Sequence, residues 1–125
     1  MRKEADRIFS MYVRLRDRNA MGETFCYTCP KTADFKKMQN GHFVPRQYLS
    51  VRYDETNCHA QCYACNMLYN GQPSAYAKRL KIEYDKDIVE LLESRRKEIC
   101  HDFDYQSIID IYTEKLEKMG MSYLI

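Results

Sequence analysis

The sequence has no long hydrophobic run. Its apolar residues are scattered, and no stretch approaches the ~20 residues that a membrane-spanning helix needs. The segment from Met1 to Asp6 holds no apolar core of the kind a signal peptide carries, so no leader is expected. Repeats, low-complexity segments and a recognisable linker are also lacking, which favours one domain over residues 1–125. With 30% charged residues and a mean hydropathy of -0.66, we expect a soluble, cytoplasmic protein with no membrane partner.

A strong excess of charge of either sign is also lacking, since the formal net charge is only +2. The charges are nevertheless unevenly spread along the chain. Residues 1–84 carry 14 Lys and Arg against 8 Asp and Glu, whereas residues 85–125 carry 6 against 10. A basic amino-terminal part suits a polyanionic partner such as DNA, although an asymmetric solvated surface gives the same pattern.

Six cysteines in a chain for which no leader is expected favour metal binding over disulfides. Four of them form two Cys-x-x-Cys pairs, which predict one closed tetrahedral Zn²⁺ site with a structural role. The four are Cys26, Cys29, Cys62 and Cys65. Cys58 lies outside the pairs but could replace one of the four, and Cys100 is expected to be a small buried apolar residue.

A histidine and two asparagines accompany the cysteines. His42 lies between the two pairs, Asn57 precedes the second pair, and Asn66 directly follows its last cysteine. Zinc would fix the backbone beside Asn66, so that its side-chain oxygen could bind a second, hard cation such as Mg²⁺ or Mn²⁺. Asn70, four residues further on, would share its helix face. A neutral His42 imidazole could then take a proton from a metal-bound water.

The expected elements are a helix over residues 2–20, a hairpin or zinc knuckle over 23–44 that returns as a strand from Met38, and a loop over 45–55. A helix is predicted over 58–69, capped by Thr56 or Asn57 and closed by residues 70–71. Further helices should begin at Pro73, at Asp87 with a capping box, and at Asp104. The fold class is therefore α+β and mostly helical, with a zinc-stapled core at about 22–71 and a helical extension at about 73–120.

Basic side chains near this core are candidate phosphate contacts. One lies on the first helix, two lie in a loop that also holds tyrosines, and two point outward from the helix after Pro73. The candidates are Arg14, Arg46, Arg52, Lys78 and Arg79.

The order of His42, Asn57 and Asn66, framed by two Cys-x-x-Cys pairs, resembles the zinc-bearing HNH or ββα-metal nucleases. More narrowly, residues 41–43, 52–62 and 65–66 resemble the phage NinG/Rap recombination proteins. The resemblance implies a ββα-metal core and a phage-encoded, Mg²⁺- or Mn²⁺-dependent endonuclease in the bacterial host. It also implies cleavage of branched intermediates such as Holliday junctions or D-loops. His42 would be the general base, Asn66 a ligand of the catalytic cation, and Asn57 the residue that holds the loop and the base.

One position departs from that pattern, because many members have Asp or His where this chain has Gly41. Asn40, Asn70 or Asp54 could supply the missing ligand. Alternatively, His42 is a ligand and His59 is the base.

Two other functions stay open at this stage. A non-catalytic zinc ribbon that binds nucleic acid is supported by Gly41 in place of an acidic ligand, and a sequence-specific restriction or homing enzyme is the third alternative. Resolving a junction takes two cuts, which a symmetric homodimer could make. The apolar stripe over residues 108–119 is a candidate surface for such a dimer.

Overall fold

The computed structural model describes residues 1–125, and its first element is a helix. Helix α1 spans Arg2–Leu15, and a short antiparallel hairpin follows, formed by β1 (Glu23–Phe25) and β2 (Thr32–Asp34). The predicted helix over residues 2–20 thus ends at Leu15, and Gly22 turns the chain with φ +78°. A left-handed φ suits a residue that has no Cβ.

A second pair of strands forms the centre of the molecule. β3 (Met38–His42) pairs antiparallel with β4 (Cys58–Cys62), so that His42 lies opposite Cys58 and Gly41 lies opposite His59. The connection between them contains a single helical turn, α2 (Leu49–Arg52). After β4 the chain makes one turn of π-helix over Ala64–Leu68.

The predicted helix over residues 58–69 is therefore wrong in its first half. All five residues of β4 are buried, because α1 covers one face of the strand and the Tyr76 side chain covers the other. The alternation of apolar and polar residues over 58–62 is in fact the period-2 pattern of a strand, and the helix prediction followed the cap and turn signals at residues 56–57 and 70–71 instead. Asn57 consequently caps no helix.

Three more helices complete the chain: α3 (Pro73–Glu83), α4 (Ile88–Ser94) and α5 (Tyr105–Lys118). Asp104 caps α5 as expected, with its carboxylate accepting from the Ser107 amide at 3.0 Å. The Asp87 side chain makes no such bond, so the predicted capping box is wrong. Helices make up 52% of the chain, which confirms the mixed, mostly helical class.

The apolar stripe of α5 packs within the chain. Tyr112 and Leu116 are buried against Ile8 and Phe9 of α1, and Ile111 remains exposed. Most of the surface proposed for a homodimer is thus already covered by α1.

Cys100 is only half-buried, contrary to expectation. No helix combines the length and the apolarity that crossing a bilayer requires.

Candidate functional site

Four thiols converge where the hairpin meets the central strands. The sulfur atoms of Cys26, Cys29, Cys62 and Cys65 all lie within 4.8 Å of one another. The Cys29 and Cys62 sulfurs are 3.7 Å apart, which matches the ~3.8 Å edge of a tetrahedron with Zn–S bonds of about 2.3 Å. The four residues therefore fit a structural metal such as zinc, as the spacing predicted.

Each half of this cluster comes from a different part of the fold. Cys26 and Cys29 lie in the connection between β1 and β2, whereas Cys62 ends β4 and Cys65 lies in the π-turn. The two parts also share a main-chain hydrogen bond, from the Tyr27 amide to the Ala60 oxygen at 2.8 Å. A metal here would join the hairpin to the central strands.

Cys58 is not part of the cluster. Its thiol is fully buried in the core beneath α1, where it lies 3.5 Å from the Arg52 carbonyl oxygen. Burial raises the pKa of this thiol well above its ordinary value. Cys58 is therefore a core residue, and it does not replace one of the four candidate ligands.

A cleft of about 910 Å³ opens between α1, β3 and the π-turn. Its walls bring together four of the polar residues singled out from the sequence: Asn40, His42, Asn66 and Asn70. Its charged lining consists of five cations and one carboxylate: Lys3, Arg7, Arg14, Arg46, Arg52 and Asp6. The excess of positive charge suits an anionic ligand.

His42 is held in a defined orientation at this cleft. Its Nε2 atom lies 2.9 Å from the main-chain oxygen of Arg52. Because a carbonyl oxygen only accepts, Nε2 carries the proton, and Nδ1 keeps its lone pair. Burial lowers the pKa of His42, and the positive charges of Arg52 and Arg46 lower it further. The imidazole is therefore neutral at pH 7 and chemically suited to accept a proton.

The buried Arg52 side chain is engaged in an ion pair with the partly exposed Asp6. Its guanidinium binds both carboxylate oxygens of Asp6 on α1, at 2.9 and 2.6 Å, and donates to the Arg46 carbonyl oxygen. The Tyr53 hydroxyl donates to the same carboxylate at 2.7 Å. Burial alone would raise the pKa of Asp6, but the hydrogen bonds from Arg52 and Tyr53 lower it.

The expectation that Arg52 contacts DNA does not agree with this arrangement. Its side chain is only 8% exposed, and its charge is already paired. It instead ties the β3–β4 connection to α1.

The Asn57 side chain forms hydrogen bonds with the backbone of the same β3–β4 connection. The Asn57 Oδ1 atom accepts from the Val44 amide at 2.8 Å, and Nδ2 donates to the Val44 and Val51 carbonyl oxygens. The residue is completely buried. It therefore pins both ends of residues 44–51, the segment directly before Arg52, whose main-chain oxygen orients His42.

Asn66 contacts a residue that sequence reasoning missed. Its Nδ2 donates to the Gln39 Oε1 atom at 2.7 Å, across from the π-turn to β3. No sequence pattern singles out Gln39, since only the strand pairing brings it close to Asn66. Asn70 and Gly71 have φ values of 53° and 83°, which confirms the left-handed turn predicted for this dipeptide.

The oxygen atoms that line the cleft are the groups that a hard cation such as Mg²⁺ would need as ligands. The Asn40 Oδ1 atom is buried without a hydrogen-bond partner, and amide oxygens are ordinary ligands of Mg²⁺ and Ca²⁺. Asn66 and Asn70 present further amide groups to the same cleft. The only carboxylate in the lining, that of Asp6, already accepts two hydrogen bonds from Arg52 and one from Tyr53. The asparagines therefore offer neutral amide oxygens to a cation, whereas Mg²⁺ sites ordinarily include a carboxylate.

The absence of a side chain at position 41 has a steric explanation. A Cβ atom at this position would lie 1.9 Å from the Gln61 Oε1 atom of β4. The Gln61 side chain is fixed by bonds from its Nε2 to Thr28 and to the Gly71 carbonyl oxygen. An acidic residue therefore cannot replace Gly41 without displacing Gln61. Asp54, another proposed substitute ligand, is absent from the cleft lining.

His59 lies on the face of the strands opposite His42. Its ring stacks on Tyr27 at 3.8 Å, and its nitrogen atoms contact the Tyr76 and Tyr84 hydroxyls. Burial lowers the pKa of His59 to about 2. This placement does not support the alternative in which His59 is the base.

The remaining candidate DNA contacts divide into two groups. Arg14 and Arg46 line the cleft, whereas Lys78 and Arg79 do not. Arg79 instead lies over the Tyr27 ring and donates to the Tyr27 carbonyl oxygen.

Lys3 and Arg7 also line the cleft, and sequence reasoning missed them as contacts. The sequence did contain a signal for these two residues, because basic residues at positions 3, 7 and 14 recur at helical spacing on one face of α1.

Comparison with known proteins bears on this site. The family model described as bacteriophage lambda NinG protein matches residues 1–121. Neither the curated proteins nor the solved structures include a significant match. The match covers nearly the whole chain, including α5, beyond the residues that carried the resemblance. The chain, with its four-cysteine cluster beside a basic cleft, belongs to the NinG family of bacteriophage recombination proteins.

Proposed function

We propose that this protein is an HNH-type, divalent-metal-dependent DNA endonuclease that cuts branched recombination intermediates in the bacterial host. One observation carries the proposal: a neutral, oriented His42 and the side chain of Asn66 line the same basic cleft beside the zinc cluster. The order of β3, β4 and the π-turn is compatible with a ββα-metal core, in which strand, strand and helix surround the scissile phosphate.

The residues of the cleft have distinct roles in this proposal. Arg14 and Arg46 bind phosphate oxygens of the strand to be cut. The His42 Nδ1 atom takes a proton from a water, whose oxygen attacks the phosphorus. The bond from phosphorus to the leaving sugar oxygen then breaks, and its electron pair stays on that oxygen.

A divalent cation held by Asn40, Asn66 and Asn70 would stabilise the negative charge that develops on the phosphate and on the leaving oxygen. The zinc held by the four cysteines would have no open position and would keep Asn66 in place.

Cleavage of a labelled four-way junction, beside a linear duplex of the same sequence, tests the proposal. The assay is run with Mg²⁺, with Mn²⁺ and with neither, and zinc content is checked in each sample. We expect metal-dependent cutting of the junction that His42→Ala abolishes and that the exposed-residue control His101→Ala preserves. Full activity of His42→Ala would overturn the assignment.

The second candidate is a zinc ribbon that binds nucleic acid without cutting it. The absence of an uncommitted carboxylate from the cleft lining favours this alternative. It predicts zinc-dependent, salt-sensitive DNA binding and no turnover in any divalent metal.

A further inference from the structure

The π-turn and the residues on either side of it expose four large apolar side chains. Tyr63, Met67, Leu68 and Tyr69 are 54%, 56%, 61% and 58% exposed. Single exposed apolar residues are common on protein surfaces, whereas four large ones within seven residues are a local concentration of the kind that marks interaction sites. These four residues are referred to below as the apolar turn.

The apolar turn is rigidly supported. Two candidate zinc ligands, Cys62 and Cys65, lie beside and within it. The Tyr69 amide donates to the Ala64 carbonyl oxygen at 2.9 Å, and the Gly71 amide donates to the Cys65 carbonyl oxygen at 2.8 Å. A surface fixed in this way loses little conformational entropy when a partner binds.

The apolar turn is continuous with the basic cleft, since Met67 and Asn66 both line the cleft. The surrounding sequence carries no Lys, Arg, Asp or Glu from residue 56 to residue 77. A partner that spans both surfaces must therefore combine negative charge with flat apolar faces. Nucleic acid with unpaired bases has this combination, whereas an intact duplex hides its base faces in the stack.

We infer that the apolar turn stacks on base faces at a DNA branch point, where the continuous stacking of a duplex is interrupted, and thereby determines the preference for branched over linear DNA. The inference rests on the proposed function, because it requires DNA phosphates in the neighbouring cleft. Tyr63 and Tyr69 supply rings for stacking, and Met67 and Leu68 supply the apolar wedge between them. The cleft cations contact phosphates in both kinds of DNA, so they supply affinity without preference.

The experiment compares the double variant Leu68→Ser/Tyr69→Ser with a matched control, Leu91→Ser/Tyr123→Ser. The control makes the same chemical changes at residues that are 58% and 76% exposed and that do not line the cleft. Affinity for a four-way junction and for a linear duplex is measured by fluorescence anisotropy in Ca²⁺ buffer. Zinc content and sedimentation are recorded for every variant. A 2-aminopurine at the branch point reports on base stacking.

We expect the apolar-turn variant to lose about tenfold or more in affinity for the junction, since base–aromatic stacking contributes on the order of 1–3 kcal/mol per base. Duplex affinity should change less than about twofold, and the control should bind like the wild type. The wild type and the control should change the 2-aminopurine signal, and the apolar-turn variant should not.

Equal losses on both DNAs, or no loss, would overturn the inference. So would a wild-type dimer that the variant converts to a monomer, because the patch would then be a protein interface. A wild type that binds both DNAs equally would overturn it as well. These results do not depend on cleavage, so a chain that prefers junctions but never cuts them would refute only the proposed function.

Discussion

The Nε2 atom of His42 lies 2.9 Å from the main-chain oxygen of Arg52, and this contact links the cleft to the rest of the fold. Arg52 is fixed by Asp6 of α1, and the backbone that leads to it is fixed at Val44 and Val51 by the Asn57 amide. The orientation of one imidazole on β3 thus depends on a helix more than thirty residues earlier in the chain.

The first prediction concerns pH. Burial and neighbouring arginines lower the pKa of His42 below the ordinary histidine value of 6.5. The neutral form is the base, so cleavage should be constant across neutral pH and should fall only at a pH below that value. The measurement is the pH dependence of junction cleavage under single-turnover conditions. A rate that rises tenfold per pH unit between 7 and 8 would contradict the assignment.

The second prediction concerns Asp6. Asp6→Asn removes the negative charge that compensates the buried Arg52 guanidinium. We expect the free energy of unfolding to fall by about 1–3 kcal/mol and kcat to fall with little change in KM, because His42 loses its fixed orientation. Urea unfolding and steady-state kinetics measure the two effects.

Glu4→Gln is the matched control for Asp6→Asn. Glu4 lies on the same helix and pairs with Arg7, but both side chains are largely exposed. An exposed pair contributes little, so this variant should change stability by less than about 0.5 kcal/mol. Identical behaviour of the two variants would refute the role given to Asp6.

The third prediction concerns the metal cluster. The purified protein should hold one zinc per chain, and Cys29→Ser should lose it, because three thiolates and a hydroxyl bind zinc more weakly than four thiolates. Metal content by mass spectrometry and the thermal midpoint of unfolding measure the outcome. Cys100→Ser should keep both at wild-type values, and a Cys29→Ser protein with full zinc and full stability would exclude the four-cysteine site.

The fourth prediction concerns Gly41. Gly41→Ala places a methyl group against the fixed Gln61 side chain and should destabilise the protein by about 1–3 kcal/mol. Truncation of the neighbour in Gly41→Ala/Gln61→Ala removes the clash. A double-mutant cycle should therefore show a favourable coupling of about 1 kcal/mol or more. Additive effects of the two substitutions would show that the two side chains do not compete for the same space.

The sequence by itself determined the features that depend on local chemistry and spacing. Two Cys-x-x-Cys pairs predicted the thiol cluster, Asn70 and Gly71 predicted a left-handed turn, and Asp104 predicted the start of α5. In each case the residues concerned carry the required geometry or ligand chemistry themselves. The order of His42, Asn57 and Asn66 also identified the segment that surrounds the cleft.

Only the tertiary structure decided which residues share that cleft. Pairing with β3 made residues 58–62 a strand rather than a helix, and the register placed His59 on the face away from His42. The ion pair with Asp6 withdrew Arg52 from solvent, and Gln61 took the space that a side chain at position 41 would need. These outcomes depend on contacts between residues distant in the chain, and local sequence patterns do not specify which distant residues meet.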